Sequence, residues 1–264
     1  MKPDDGMRKA GVSIPMRGYY NYGMQKLFEG ACHLDLSLSD RQMEQFQIYY
    51  DELVAWNKRM NLTAIVDYEE VQIKHFLDSL TLAMVLADAP AKVVDVGTGA
   101  GLPGIALKIA CPKIEMTLID STQKKAVFLN HMVDVLKLDG VQVVTGRAEE
   151  LAHDVQYREH FDAVLARGVT KMASLAELTL PFCAVGGAFI AMKNWPPDAE
   201  VDEAERSLNV LGGRLRQSVR IGLGGLDDRS LVVIDKVRPT PEKYPRRSGV
   251  PQKRPLLCSV KEAA

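Results

Sequence analysis

Apolar residues recur every three or four positions in the N-terminal third of the chain, which is the spacing of one face of an amphipathic helix. One such stripe occupies residues 46–60. Ser39 precedes it, and Gln42 stands three positions after Ser39, the spacing of a capping box. Asp67 offers a second helix cap ahead of another apolar stripe. We therefore predict a helical subdomain over residues 39–89.

The first 38 residues show no periodic pattern. Glycines interrupt this segment at positions 6, 11, 18, 23 and 30. Because glycine in the interior of a helix is unfavourable, we predict no helix here. We interpret residues 1–38 as an N-terminal extension that could be flexible.

After residue 90 the pattern changes to short apolar runs that alternate with helical stretches. The first run, Lys92–Val96, is rich in β-branched residues and ends in glycines, as is typical of a buried strand. The further predicted strands cover residues 115–120, 141–144, 161–166, 188–192, 214–221 and 230–237. The predicted helices cover residues 103–110, 122–138, 148–153, 171–180 and 197–211.

This alternation favours parallel strands joined by crossover helices, and so predicts an α/β fold, a Rossmann-like three-layer sandwich, over residues 90–237. The last two strands differ because residues 222–228, which contain no helical pattern, are all that separates them. So short a connection indicates an antiparallel pair. We expect a mostly parallel seven-stranded sheet with an antiparallel last strand.

The charges of the chain are balanced overall but unevenly placed. The 264 residues include 33 basic and 34 acidic ones, for a formal net charge of −1. Residues 236–255 alone contain seven basic side chains and one acid. Prolines oppose regular structure in this stretch, so we predict that the tail, residues 238–264, is an extended basic arm. Such an arm suits contacts with nucleic-acid phosphates.

Cysteine and histidine spacing argues against several other classes of protein. The four cysteines form no C-x-x-C pair, and the five histidines show no H-x-x-x-H spacing, so we expect neither a disulfide framework nor a metal site. No apolar run reaches the roughly 20 residues of a membrane helix, and the N-terminus lacks the pattern of a secretory signal. We expect a cytoplasmic protein with no membrane contact and no stable protein partner.

A glycine-rich segment directly after the first predicted strand is the strongest local signal. Gly99, Gly101 and Gly104 have the spacing of the dinucleotide-binding fingerprint, which keeps a nicotinamide-dependent dehydrogenase or a non-catalytic binding module open as alternatives. In that fingerprint, however, the first glycine should follow the strand directly. Gly97 does so, and counting from it places Leu102 where the third glycine should be.

An acid followed by Gly-x-Gly-x-Gly, here Asp95 with Gly97, Gly99 and Gly101, resembles the first motif of class I S-adenosylmethionine (AdoMet) methyltransferases. Such a loop can hold the amino-acid part and the ribose of AdoMet. Asp120 ends the second predicted strand, where its carboxylate can accept hydrogen bonds from both ribose hydroxyls. That placement would serve NAD equally well, whereas the antiparallel last strand resembles the sheet of the methyltransferases.

A series of further motifs resembles one bacterial family, the small-subunit ribosomal RNA guanine-N7 methyltransferases, also called glucose-inhibited division protein B. The motifs are Trp56-Asn57-Lys58, Asn61-Leu62-Thr63, His75-Phe76-Leu77-Asp78-Ser79, residues 95–104, Leu118-Ile119-Asp120-Ser121, Lys124-Lys125, Phe128-Leu129, Arg147-Ala148-Glu149-Glu150, Ala166-Arg167, Lys243-Tyr244-Pro245-Arg246-Arg247, Gly249-Val250-Pro251 and Lys253-Arg254-Pro255-Leu256. The resemblance covers roughly residues 39–256. It departs at Ala100, where many relatives have proline, and at Gly168-Val169, which leaves the shape of the acceptor pocket open.

The resemblance implies AdoMet as cofactor and, as substrate, a guanine N7 near position 527 of 16S ribosomal RNA, free or in the small subunit. By matching positions it implies that the cofactor site is lined by Gly97, Leu102, Ala148, Glu149 and Arg167, with Asp120 at the ribose. Methylation of a small molecule or a protein stays an alternative.

Guanine N7 carries a lone pair and no proton, so its methylation needs no general base and can depend on proximity and orientation. We expect Arg167 or one of the two lysines, Lys124 and Lys125, to orient the guanine or to contact phosphate. The candidate RNA-binding residues are Lys124, Lys125, Lys243, Arg246, Arg247, Lys253 and Arg254.

Overall fold

The computed structural model describes residues 23–86 and 91–257, and the apolar runs after residue 90 form one seven-stranded sheet. The strands are β1 Lys92–Val96, β2 Glu115–Asp120, β3 Val141–Thr145, β4 Phe161–Arg167, β5 Cys183–Asn194, β6 Gly213–Arg220 and β7 Arg229–Lys236. Their order across the sheet is β3-β2-β1-β4-β5-β7-β6. Strand β7 is antiparallel to both of its neighbours, while the other pairs are parallel, so the predicted sheet is confirmed.

Helices cover both faces of this sheet. The α-helices are α1 Gln25–His33, α2 Asp40–Met60, α3 Tyr68–Val71, α4 Asp78–Leu80, α5 Gly104–Ala110, α6 Gln123–Val135, α7 Ala148–Leu151, α8 Met172–Thr179, α9 Asp198–Glu203, α10 Glu205–Leu211 and α11 Val250–Lys253. A π-helix, Gln72–Leu77, joins α3 to α4, and the 3₁₀ helices Thr81–Met84 and Leu180–Phe182 complete the set. One hydrophobic cluster lies on each face of the sheet. Within the described ranges, no helix is long and apolar enough to cross a membrane.

The predicted caps of the helical subdomain are present. The Ser39 hydroxyl accepts from the Gln42 backbone N–H, and the Ser39 N–H donates to Gln42 Oε1 at 2.8 Å, which completes the capping box of α2. The Asp67 carboxylate accepts from the N–H groups of Glu69 and Glu70 and caps α3. Each cap satisfies backbone donors that the first turn of a helix leaves free.

The prediction that glycines exclude a helix from residues 1–38 is wrong for the last part of that segment. Helix α1 contains Gly30, which is buried against Leu77: a Cβ at this glycine would lie 2.3 Å from Leu77 Cδ2. Gly30 therefore permits close packing between α1 and the π-helix. Gln72 Oε1 also accepts from the N–H groups of Lys26 and Leu27, at 3.0 and 3.3 Å, and so caps α1. Residues 1–22 lie outside the described part of the chain.

The tail is not an extended arm. Residues 238–257 pack against the sheet domain, with Tyr244 and Pro251 buried and α11 folded within them. The reason is that apolar and anchoring residues are interleaved with the cations: Arg246 binds the fully buried Glu177, and Ser174 Oγ donates to Pro251 O at 2.9 Å. Residues 258–264 lie outside the described ranges.

Candidate cofactor and acceptor sites

The glycine loop after β1 turns sharply beside the carboxyl end of β2. Gly97, Gly99 and Gly101 all have positive φ, at 75°, 62° and 87°, a conformation that other residues adopt only with strain. The backbone N–H groups of Gly97 and Thr98 donate to Ile119 O at 2.9 and 3.0 Å. The three alternating glycines are therefore required by the backbone of this turn, as the sequence indicates.

Asp95 lies beneath the loop and is completely buried. Its Oδ2 accepts from Thr98 Oγ1 at 2.6 Å and from the Gly104 N–H at 2.8 Å. Among the buried side-chain atoms of the described residues, Asp95 Oδ1 alone has no hydrogen-bond partner. Burial raises the pKa of this carboxyl to about 6, against the opposing effect of the hydrogen bonds from Thr98 and Gly104.

Asp120, at the end of β2, links the loop to the helix that follows. Its Oδ2 accepts from the Gly99 N–H at 3.0 Å, and its Oδ1 accepts from the Thr122 N–H at 2.8 Å. Lys125 Nζ lies 3.5 Å from Oδ2. Each carboxylate oxygen can accept more than one hydrogen bond, so these contacts hold the group in place and leave acceptor capacity for a ligand.

A cavity at the carboxyl edge of the sheet brings together several of the predicted cofactor residues. It is lined by Val96, Gly97, Ile119, Asp120, Ser121, Gly146, Arg147, Ala148, Glu149, Val169, Leu178, Gly249 and Gln252. We call it the cofactor cavity. Leu102, also predicted there, is buried beside the loop and is not part of this lining. Gly249 and Gln252 come from the tail, and sequence reasoning missed them because no local pattern relates them to the glycine loop.

Arg167 lies in a second cavity, of about 420 Å³, next to the helical subdomain. We call it the acceptor cavity; its lining is Ile65, Lys74, His75, Asp78, Arg167, Asn194, Gly225, Leu226, Asp228 and Arg229. Arg167 Nη1 donates to Asp78 Oδ2 at 2.9 Å. Arg229 donates to the same carboxylate from Nε and Nη2, both at 3.1 Å. The buried Asp78 thus holds two guanidinium groups at one cavity.

The motifs before the glycine loop build the wall of the acceptor cavity. The Asn57 side chain bonds both backbone groups of Thr63, at 2.9 and 3.0 Å. Thr63 Oγ1 in turn lies 2.7 Å from His75 Nε2. Burial, and after it the positive charge of Arg167, lowers the pKa of the His75 imidazole to about 4. His75 is therefore neutral at physiological pH.

The basic residues of the tail differ in what they contact. Lys243, Arg247, Lys253 and Arg254 are exposed, as is Lys124 on α6. Arg246 instead forms a two-point ion pair with Glu177, with its Nε and Nη2 at 2.8 and 2.6 Å from the two carboxylate oxygens. Lys236 is completely buried and lies 2.9 Å from Glu159 Oε1. Two of the seven cations between residues 236 and 255 thus stabilise the fold.

The residues of the cofactor cavity fit AdoMet. The ribose diol of AdoMet matches the remaining acceptor capacity of Asp120. Asp95 is not part of the lining, and its buried carboxylate would add negative charge behind the glycine loop, towards the cationic groups of the cofactor. The glycine loop presents backbone without side chains, and Glu149, 8% exposed, would lie at the adenine.

The strand order, the glycine loop and the acid at the end of β2 together define a class I AdoMet-dependent methyltransferase. The family model for rRNA small subunit methyltransferase G matches residues 42–231. Proteins named ribosomal RNA small subunit methyltransferase G from Dehalococcoides mccartyi strain CBDB1 and Roseiflexus castenholzii are each 47% identical to this chain, over 89% of it and 100% of their own length. The chain belongs to this family.

A solved structure of a predicted O-methyltransferase from Agrobacterium tumefaciens is also similar, with a TM-score of 0.49 and 22% identity over 62% of this chain and 83% of that one. Membership of the family confirms the prediction of a class I methyltransferase with AdoMet as cofactor. The dehydrogenase alternative is accordingly wrong.

Proposed function

We propose that this protein transfers the methyl group of AdoMet to N7 of a guanine in 16S ribosomal RNA, in the region of position 527, in the cytoplasm. The family to which the chain belongs supports ribosomal RNA as the substrate. The observation that carries the proposal is that the end of β4 and the turn after it contribute a residue to each of the two cavities. Val169 lines the cofactor cavity and Arg167, two residues earlier, lines the acceptor cavity, so a bound base would lie next to the methyl donor.

The acceptor cavity suits a base that needs orientation and no proton removal. When bound, AdoMet would supply an activated methyl group. The lone pair of guanine N7 would form the new N–CH₃ bond as the S–CH₃ bond breaks, and the sulfonium electron pair would leave with S-adenosylhomocysteine. His75 is neutral, and its Nε2 is hydrogen-bonded to Thr63 Oγ1. Because the reaction at N7 removes no proton, we give His75 no role as a base. Arg167 and Arg229 each keep N–H donors beyond those that Asp78 accepts, and these can bind guanine O6 or a neighbouring phosphate.

Cations at the surface provide a route for the RNA backbone towards this cavity. We assign phosphate contacts to the half-buried Lys125 and to the exposed Lys124, Lys243, Arg247, Lys253 and Arg254. Arg246 is removed from this group because its guanidinium is bound to Glu177.

The test is methyl transfer from labelled AdoMet to naked 16S RNA and to small subunits that lack the modification, followed by chemical mapping of 7-methylguanine. We expect one modified guanine near position 527. Absence of transfer to both substrates, or transfer to another atom or another base, would show the proposal to be wrong. Transfer to a protein or a small molecule would favour the alternative class of substrate.

Arg167→Ala tests the orienting role. We expect kcat to fall at least tenfold while the Kd for AdoMet stays unchanged, since Arg167 lines only the acceptor cavity. Arg214→Ala is the matched control, because the Arg214 side chain is 71% exposed on β6. Wild-type kcat in Arg167→Ala would rule the role out.

A further inference from the structure

The tail residues 246–254 form a closed loop that is fastened to α8. At its start, Arg246 binds the buried Glu177 through both its side chain and its backbone N–H, the latter at 2.8 Å from Oε1. Arg246 Nη2 also donates to Arg254 O at 2.7 Å and so joins the two ends of the loop. Ser174 Oγ holds Pro251 in between. We call this segment the tail loop.

The inner side of the tail loop reaches the cofactor cavity. The Gly249 N–H donates to Glu149 Oε1 at 2.9 Å, and Glu149 lies on α7, the helix that follows β3. Gly249 has a φ of +79°, which turns the chain into α11 and brings Gln252 into the lining of the same cavity. The Gln252 side chain carries both donor and acceptor groups. Within the described residues, these groups form no hydrogen bond.

We propose that the tail loop is one wall of the AdoMet site, with Gln252 contacting the adenosine part of the cofactor and Arg246 acting as the positioning residue of that wall. The same loop carries Lys253 and Arg254 on its exposed side, so one segment faces the cofactor inside and solvent outside. This inference concerns the binding of AdoMet alone and holds whichever molecule accepts the methyl group.

The deciding variant is Gln252→Ala in the full-length protein, with Gln217→Ala on β6 as matched control. Both side chains are exposed, so both variants should keep the wild-type melting temperature without ligand. Calorimetric titration with AdoMet should give a Kd at least threefold higher for Gln252→Ala and an unchanged Kd for Gln217→Ala. An unchanged Kd in Gln252→Ala would overturn the proposal, as would an equal loss in both variants.

Amide hydrogen exchange provides a second readout that does not depend on any substitution. Addition of S-adenosylhomocysteine should slow exchange in residues 248–253 as well as in the glycine loop. Protection confined to residues 97–101, with unchanged exchange in the tail loop, would also overturn the proposal. Neither measurement uses an RNA substrate, so failure here is distinct from failure of the proposed reaction.

Discussion

Asp95 is fully buried, and one of its two carboxylate oxygens has no hydrogen-bond partner. In the folded protein its pKa is about 6, above the ordinary value of 3.8, so the folded state binds the proton more tightly than the unfolded state does. The free energy of unfolding therefore falls as the pH rises from about 4, and the full loss is present above about pH 6. We interpret this loss of stability as the consequence of keeping a negative charge behind the glycine loop, at which we expect the cationic cofactor to bind.

Asp95→Asn should therefore stabilise the protein in the absence of cofactor and weaken the binding of AdoMet. The amide oxygen can still accept from Thr98 and Gly104, and the cost of the buried charge disappears. The amide N–H groups at the position of Oδ1 are left without an acceptor and offset part of this gain. At 1.36 kcal/mol for each pKa unit, the gain above pH 6 is up to about 3 kcal/mol. Urea unfolding measures the gain, and titration should give a Kd for AdoMet at least tenfold higher. A variant that is less stable at pH 7, or that binds AdoMet normally, would contradict this account.

His75 should affect acid stability in the opposite sense. Its pKa is lowered from 6.5 to about 4 in the folded state, so its contribution is fully present above pH 6.5 and is lost as the pH falls towards 4. The loss amounts to about 3 kcal/mol. Between pH 6 and 4 the protonation of Asp95 favours the folded state and partly cancels it. His75→Gln should gain stability relative to wild type as the pH falls from 6.5 to 4.

The control for this prediction is His33→Gln, since His33 is exposed on α1 and lines neither cavity. Unfolding free energies measured at half-unit steps between pH 4.5 and 7 should run parallel to wild type for His33→Gln and converge or cross for His75→Gln. Parallel curves for both variants would show that His75 is not held neutral by the fold.

At the scale of elements, helix α2 supports the glycine loop through one side chain. Tyr49 is fully buried and donates its hydroxyl to Ala100 O at 2.6 Å. A Cβ at Gly101 would lie 2.9 Å from the same hydroxyl, so the packing between helix and loop is close. The helical subdomain therefore supports the glycine loop and also lines the acceptor cavity.

Tyr49→Phe should leave the Ala100 carbonyl buried without its partner, at a cost of about 1–3 kcal/mol in unfolding free energy. Because that carbonyl belongs to the glycine loop, the Kd for AdoMet should also rise. Tyr50→Phe is the matched control: its hydroxyl donates to Val66 O at 3.2 Å near the surface and should contribute under about 0.5 kcal/mol. Equal effects of the two substitutions would contradict a specific link between α2 and the loop.

Elements that depend on neighbours in the sequence could be predicted, and those that depend on distant contacts could not. The strands, the cap of α2 and the turn at Asp95 follow from residues within a few positions of one another. No local sequence pattern predicts the π-helix. One of its residues, Gln72, caps α1 by accepting from the Leu27 N–H, and these two residues are 45 positions apart in the chain. Strand β5 likewise begins at Cys183, before its predicted start, because Cys183 pairs with Phe161 across a register shift.

The candidate site shows the same division. Asp95, Gly97 and Asp120 were predictable because strand ends and the intervening turn bring them together. Arg246 was assigned to RNA on charge alone, and its true partner Glu177 lies 69 residues away. A count of basic residues cannot distinguish a cation that neutralises a buried acid from one that faces solvent.

At the scale of the whole molecule, the near-neutral charge makes non-specific attraction to RNA weak, so binding must depend on local groups. The fold uses Lys236 and Arg246 internally and leaves other tail cations exposed beside the cofactor cavity. If all six assigned cations contact phosphate, log affinity should fall with log salt concentration with a slope of about 4 to 5. A cation that contacts phosphate can be identified because its substitution reduces the slope of log affinity against log salt concentration.

The double substitution Lys253→Ala/Arg254→Ala should reduce the slope of log Kd for small-subunit RNA against log salt concentration by about 1.5, since each phosphate contact contributes about 0.7–0.9. The loss of affinity should be largest at low salt, where counterion release is most favourable. Lys113→Ala is the control, because Lys113 is exposed just before β2, at the edge of the sheet opposite the two cavities. If both variants keep the wild-type slope, the RNA backbone must approach the acceptor cavity over another surface, with Lys124 and Lys125 on α6 the next residues to substitute.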